Sequence, residues 1–214
     1  RIIRACHEAG IEAVALYGPG EENAQHLQAA DDAWKLPPST GIPYLNVDGI
    51  VARAVEAKAD AVHPGYGFLA EHAGFARAVE EAGLVFIGPT ADVIAAMGDK
   101  VEARRVAIAA GVPVVPGTQE PVPAVEAALA WAEDHGYPVA VKAAGGGGGR
   151  GFRVARDAGE LPDAFAGSRG EAERYFSNPV VYLERYLEHP RHIEGQVFGD
   201  AFGTLVALPE RDCS

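Results

Sequence analysis

The sequence predicts an α/β fold: an open, doubly wound parallel sheet, then a smaller α+β unit, then the opening strands of a third. Three observations predict it. Short apolar runs of strand length alternate with helix-period segments over the first half; a connector with two prolines follows Gly111; and beyond it one helix and two strand-like runs frame a tract of five consecutive glycines, 145–149.

In chain order, residues 1–9 (RIIRACHEA) read as an amphipathic helix already under way. Arg1 is not an initiator Met, and the final residues (ALPERDCS) stop straight after a strand-like run, so both ends are expected to be cuts in a longer chain. Residues 13–17 (AVALY), 59–63 (ADAVH) and 84–87 (LVFI) are near-continuous apolar stretches bounded by Gly or Pro, the pattern of buried parallel strands. Between them, 44–59 and 71–82 carry apolar residues at spacings of three and four, with Gly83 as a helix stop. Residues 112–117 (VPVVPG) suit a connector. A helix over 122–135, a strand over 137–144, the glycines, a strand over 152–155, a polar helical stretch to about 175 and a strand over 180–184 complete the α+β unit. From 191, His192, Glu194 and Gln196 alternate with Ile193 and Val197, which predicts one strand with a polar and an apolar face. Gly203 and Thr204 turn into a last strand, 205–208.

With 214 residues, 48% hydrophobic and 22% charged, the chain has the composition of one or two globular domains and excludes disorder, collagen-like repeats and a fibrous coil. A net charge of −12 makes it a poor binder of a nucleic-acid backbone or an anionic membrane, so an anionic ligand needs a local site. No run approaches the roughly 18 apolar residues of a membrane span. Cys6 and Cys213 stand at opposite ends and form neither a disulfide framework nor a metal cluster, and with no basic-then-apolar leader the expected compartment is the cytoplasm.

The glycine tract carries the chemistry. Gly146, Gly148 and Gly151 match GxGxxG, but that motif must open a helix and 152–155 reads as a strand; a Walker loop fails too, because Phe152 follows Gly151 where a lysine is needed. What remains is a glycine-rich turn between strands, whose amides can approach a phosphate closely; a ligand-free hairpin tip is the competing reading. Lys142, in the otherwise apolar strand feeding the turn, either snorkels to the sheet edge or meets anionic oxygens. Lys100 falls in the first turn of a helix whose start is marked by Asp99 and Glu102 at capping-box spacing, where a cation opposes the helix dipole and a bound phosphate would reconcile the two, unless it is a solvated surface lysine. His63-Pro64-Gly65-Tyr66-Gly67-Phe68 follows a predicted strand at the sheet edge where such folds bind ligands, or is simply a tight strand-to-helix turn. His189 and His192 lack the further His or Cys ligands of a zinc site, and neither GxSxG nor HExxH occurs.

Taken together, HPGYGFLAE (63–71), FIGP (86–89), MGDK (97–100), GVPVVPG (111–117), GYPVAVKAAGGGGGRG (136–151), LERYLEHPRHIEGQV (183–197) and ERDCS (210–214) closely resemble biotin carboxylase, the ATP-grasp subunit or domain of biotin-dependent carboxylases. The resemblance runs end to end. It implies an N-terminal α/β domain lacking its first strand over 1–112, an ATP-grasp lid over 113–187 and the start of a truncated C-terminal ATP-grasp domain over 188–214. It also implies a ligase that phosphorylates bicarbonate with ATP, through carboxyphosphate, and carboxylates biotin on a carrier, in an acyl-CoA carboxylase-type complex.

By position, Lys100 and Lys142 match the family's nucleotide-phosphate lysines, and Gly148 and Gly149 match its phosphate-covering loop. Glu184, Arg185, Tyr186 and Leu187 match the segment that holds adenine, and His192 matches the histidine near the ribose. The carboxylates for Mg²⁺ or Mn²⁺ are expected beyond Ser214, so these 214 residues alone are expected to be inactive. Implied partners are a biotin carboxyl carrier, a carboxyltransferase, bicarbonate and a second copy of the parent, with no nucleic acid and no membrane. Two departures stand out: Ala70 and His72 replace the usual Ser and Asn, and Gly195 replaces an apolar strand residue. Another ATP-grasp ligase, or a non-catalytic nucleotide-binding or folding module, is the alternative.

Overall fold

The computed structural model describes residues 1–145 and 150–214 and divides into two compact units, Arg1–Gly111 and Val112–Ser214. No described helix is long and apolar enough to cross a membrane.

The first unit begins with α1 (Ile2–Glu8) and contains two strand–helix–strand pieces. β1 (Val14–Tyr17), α2 (Gln25–Ala29) and β2 (Asp32–Lys35) form one, with the strands parallel and Val14 opposite Asp32. β3 (Ala61–Val62), α4 (Ala73–Glu81) and β4 (Val85–Phe86) form the other, also parallel. Between them a 3₁₀ turn, Pro43–Leu45, leads into α3 (Val47–Glu56), so the helix foreseen over 44–59 is shorter than its pattern. α5 (Ala91–Gly98) and α6 (Lys100–Ala109) close the unit.

The strands are parallel as expected, but they are not fully buried: Val14 is 40% and Val85 62% exposed. Each has one hydrogen-bonded neighbour among the described residues, and burial of a parallel strand requires neighbours and cover on both sides. β2, with charges at both ends and no apolar run, gave no strand signal. The core lies where Phe75 and Val79 of α4 meet Phe86 of β4 and Ile50 of α3, the two phenylalanine rings edge to face at 5.8 Å. Gly83 ends α4 as expected, at φ +79°, a conformation that costs glycine little.

The second unit is built on a three-stranded antiparallel sheet in the order β6–β5–β7: β5 (Val139–Ala143), β6 (Phe152–Ala155) and β7 (Val181–Arg185). With period-2 alternation, Val139 and Val141 of β5 and Val181 and Leu183 of β7 share a face, which packs on α7 (Val125–His135) and α8 (Leu161–Phe176) through Ala128, Ala132 and Phe165. The buried Ser168 hydroxyl of α8 donates to the Val141 carbonyl at 3.2 Å. The connector also bonds to the sheet: Thr118 N–H donates to Leu183 O at 2.9 Å, and Arg185 N–H donates to Pro116 O at 2.8 Å.

Downstream lie β8 (Ile193–Glu194), β9 (Val197–Gly199), β10 (Leu205–Ala207) and β11 (Arg211–Asp212), with β9 antiparallel to β10 and β8 antiparallel to β11. The single strand foreseen from 191 to 197 is therefore two strands, interrupted at Gly195 and Gln196. Glycine has no side chain to pack and weakens a strand interior, which accounts for the break.

Candidate functional site

The glycine tract joins β5 to β6. Its flanks are in antiparallel register from Val139 opposite Ala155 to Lys142 opposite Phe152, and Ala143 N–H donates to Gly151 O at 2.8 Å. The tract thus connects two strands and opens no helix, which removes the dinucleotide reading. Gly148 and Gly149 lie outside the described residues. Gly151 has φ +67°, and a Cβ there would stand 2.6 Å from the Ala143 Cβ, so only glycine allows the strands to approach this closely.

Lys142 alternates with the helix-packed valines and so stands on the opposite face, across from Tyr182 on β7 and Phe152 on β6. Glu184, two residues along from Tyr182, shares that face. The ammonium forms an ion pair with Glu184 Oε2 and sits 5.7 Å from the Phe152 ring centroid. Their side chains are 29% and 12% exposed, so Lys142 does not snorkel away from the sheet: a carboxylate supplies the anion it requires. An ammonium has three donors, and the pair leaves capacity for further oxygens.

Backbone bonds tie the residues after Glu184 to the connector and to the start of β5. The Arg185 amide donates to Pro116 O, the Tyr186 amide donates to Pro138 O at 3.0 Å, and the Tyr186 ring lies 6.4 Å from that of Phe152. Leu187 is exposed. His192 is held by its backbone beside the β8–β11 pair: its N–H donates to Ser214 Oγ at 2.8 Å and its carbonyl accepts from Cys213 N–H at 2.8 Å. Arg211 donates to Glu194 at 2.7 Å across that pair and holds the Glu194 carboxyl below the usual carboxylate range. The PRHIE and ERDCS strings are therefore one antiparallel rail.

In the first unit, Lys100 is the first residue of α6. The Asp99 carboxylate accepts from the amides of Val101 and Glu102, both at 2.9 Å, while Glu102 turns to Arg105 at 2.8 Å. Asp99 caps the helix as expected, with Glu102 engaged by Arg105 in place of a reciprocal capping-box bond; the two amides a phosphate would take are occupied by Asp99, so any role of Lys100 toward an anion rests on its side chain. The HPGYGF segment forms the tight turn its composition suggested, with Gly65, Gly67 and Phe68 all at positive φ. Phe68 lies 5.6 Å from Tyr44 and lines an open cleft of about 500 Å³ after β1. There the Tyr44 hydroxyl donates to Glu21 at 2.5 Å; burial first, then this bond, pushes the phenol up to about 12. Nothing in the sequence pairs residues 21 and 44, so this contact was illegible there.

Residues 1–94 match the family model described as biotin carboxylase, N-terminal domain, and residues 99–214 that described as carbamoyl-phosphate synthase L chain, ATP binding domain. The chain is 49% identical over 216 residues to biotin carboxylase of Pseudomonas aeruginosa, which aligns with all of this chain over 48% of its own length. The chain belongs to the biotin carboxylase family. It is also 46% identical to human mitochondrial pyruvate carboxylase, covering 18% of that longer protein. Among solved structures, the biotin carboxylase domain dimer of Hydrogenobacter thermophilus 2-oxoglutarate carboxylase, in complex with MgADP, ADP and bicarbonate, superposes with a TM-score of 0.91 at 47% identity, over 100% of this chain and 47% of that one. The chain thus spans about half the length of the biotin carboxylases it matches.

Of the departures from the biotin carboxylase pattern, those at His72 and Gly195 have local explanations, and nothing in the structure explains Ala70. His72 caps α4, its Nδ1 accepting from the Phe75 amide at 3.0 Å, which is the task an Asn performs at an N-cap. Gly195 marks the break between β8 and β9. Among the described residues no group of three His, Cys, Asp or Glu side chains is placed to hold a metal ion, and no step is assigned to a metal.

Proposed function

We propose that this chain supplies the N-terminal and nucleotide-covering parts of a biotin carboxylase, a ligase that uses ATP and bicarbonate to carboxylate biotin on a carrier protein. One observation carries this reading: the half-buried ammonium of Lys142 at the root of the glycine tract, on the sheet face turned from the helices. ATP supplies the phosphoryl group that activates bicarbonate. Phosphoryl transfer asks the protein mainly for positioning and charge neutralisation. Lys142 takes a phosphate role from its place at the root of the glycine tract, and Lys100, Gly148 and Gly149 take phosphate roles by family position alone. The 184–187 segment receives the adenine; with the Arg185 and Tyr186 amides engaged, Leu187 and the backbone carbonyls are the groups it offers. His192 faces the ribose. The lid spans 113–187, after an N-terminal domain over 1–112 and before the opening strands from 188. The parent works in the cytoplasm as a homodimer with a biotin carrier and a carboxyltransferase, in an acyl-CoA-type complex.

Calorimetric titration with ATP tests the assignment. Lys142→Ala is expected to weaken binding about tenfold, the scale of one lost charge-assisted contact; unchanged affinity would remove Lys142 from the site. Because the chain spans about half the length of the biotin carboxylases it matches, the 214 residues alone are expected to show no biotin-dependent ATP cleavage. Bicarbonate- and biotin-stimulated ADP release from the purified chain would overturn that expectation.

A further inference from the structure

The exit of the glycine tract rests on one stripe of α8. Gly167, Glu171 and Tyr175 follow at spacings of four and therefore line one face of the helix. Tyr175 receives the Arg150 guanidinium at 4.9 Å from its ring centroid. Glu171 uses both oxygens: Oε2 accepts from the Gly151 amide at 2.8 Å, and Oε1 accepts from Arg153 Nη2 at 2.7 Å. Gly167 makes room for Arg153, since a Cβ there would stand 2.3 Å from Arg153 Nε and 2.6 Å from its Cζ.

A surface ion pair would need the guanidinium alone; here the same carboxylate also fixes a backbone amide. The two residues it holds flank Phe152, the residue directly across from Lys142 whose ring lies under its ammonium. With Gly151 and Arg153 held from the helix side, alternation along β6 presents Phe152 to the face of Lys142. The Gly151 amide, then Arg153, keeps the Glu171 carboxyl below the usual carboxylate range, so it accepts both bonds in its ionised form.

We propose that Glu171 is a positioning residue for the nucleotide-phosphate site, fixing Gly151 and Arg153 so that Phe152 and Lys142 keep their register. This rests on the phosphate reading of Lys142 above, and two measurements separate them. The first is amide hydrogen exchange at Gly151 by NMR on the 214-residue chain, which needs no nucleotide. Glu171→Ala is expected to speed it about tenfold and Glu171→Gln, which keeps one acceptor, by less, with β5 amides unchanged. Lys142→Ala is expected to leave it as in the wild type. The second is affinity for ATP against AMP: Glu171→Ala is expected to weaken ATP about tenfold and leave AMP unaltered, because the defect lies at the phosphate end. Unchanged Gly151 exchange overturns the positioning role. Faster exchange across β5 and α8 together, with ATP and AMP weakened alike, also overturns it, since that is the signature of general loosening. If ATP affinity ignores Lys142→Ala, the phosphate reading falls, while the exchange result still decides whether Glu171 fixes Gly151.

Discussion

The Lys142–Glu184 pair stands where charge, burial and the site meet, and breaking it from one side should cost more than removing it altogether. Lys142→Met keeps most of the aliphatic stem and removes the ammonium that pairs with Glu184, which is only 12% exposed. Loss of one partner of a fully buried pair costs about 3–5 kcal/mol, whereas exposed pairs contribute at most about 1 kcal/mol. With 29% exposure at the lysine and 12% at the glutamate, about 2 kcal/mol is expected for the single variant. For a unit of this size that lowers the urea midpoint by about 1–2 M. The assay is urea denaturation followed by Trp131 fluorescence in a Trp34→Phe background, since the chain's two tryptophans fall one to each unit. Glu184→Gln alone should also destabilise, and Lys142→Met combined with Glu184→Gln should return to within about 1 kcal/mol of the parent, because the double change removes both desolvated charges. Equal midpoints for all four proteins would refute the reasoning, showing that solvent reaches the pair well enough to erase its coupling.

Three further outcomes are expected. Tyr44 should titrate last among the tyrosines, near pH 12 by absorbance; since its folded pKa is raised above the unfolded value of 10, its contribution to stability is complete below pH 10 and fades as pH climbs toward 12, and a tyrosine titration unchanged in Tyr44→Phe would contradict this. Gly151→Ala combines φ +67° with a Cβ 2.6 Å from that of Ala143, and should destabilise the second unit by about 2–4 kcal/mol in the same Trp131 assay. His72→Ala should cost about 1 kcal/mol by loss of the α4 cap, while His72→Asn should retain stability, as read by thermal unfolding in circular dichroism.

Periodicity in the sequence was enough to place β1, β3 and β4, the stop at Gly83, and the strand–turn–strand frame of the glycine tract, because each carries an apolar run or a backbone requirement local to a few residues. β2 was missed because Asp32 and Lys35 end it and only two residues between them are apolar; its pairing to β1 is a tertiary matter. The break at Gly195 was hidden by perfect polar alternation on either side of it. Family resemblance located Lys142 and Glu184 separately, 42 residues apart, but their mutual pairing depends on the β5–β7 register. Glu171 left no trace at all, since a glutamate on a polar helix looks like solvent-facing charge until Gly151 and Arg153 are seen against it.

The bonds from Pro116 and Thr118 to β7 matter for how this unit is handled as well as for how it is built. They occupy backbone groups along the outer border of the sheet, which in a three-stranded sheet would otherwise offer a template for another molecule's strand. A recombinant second unit begun at residue 119 would bare the Leu183–Arg185 end of that border and invite self-association, whereas one begun at Val112 would carry its own cover.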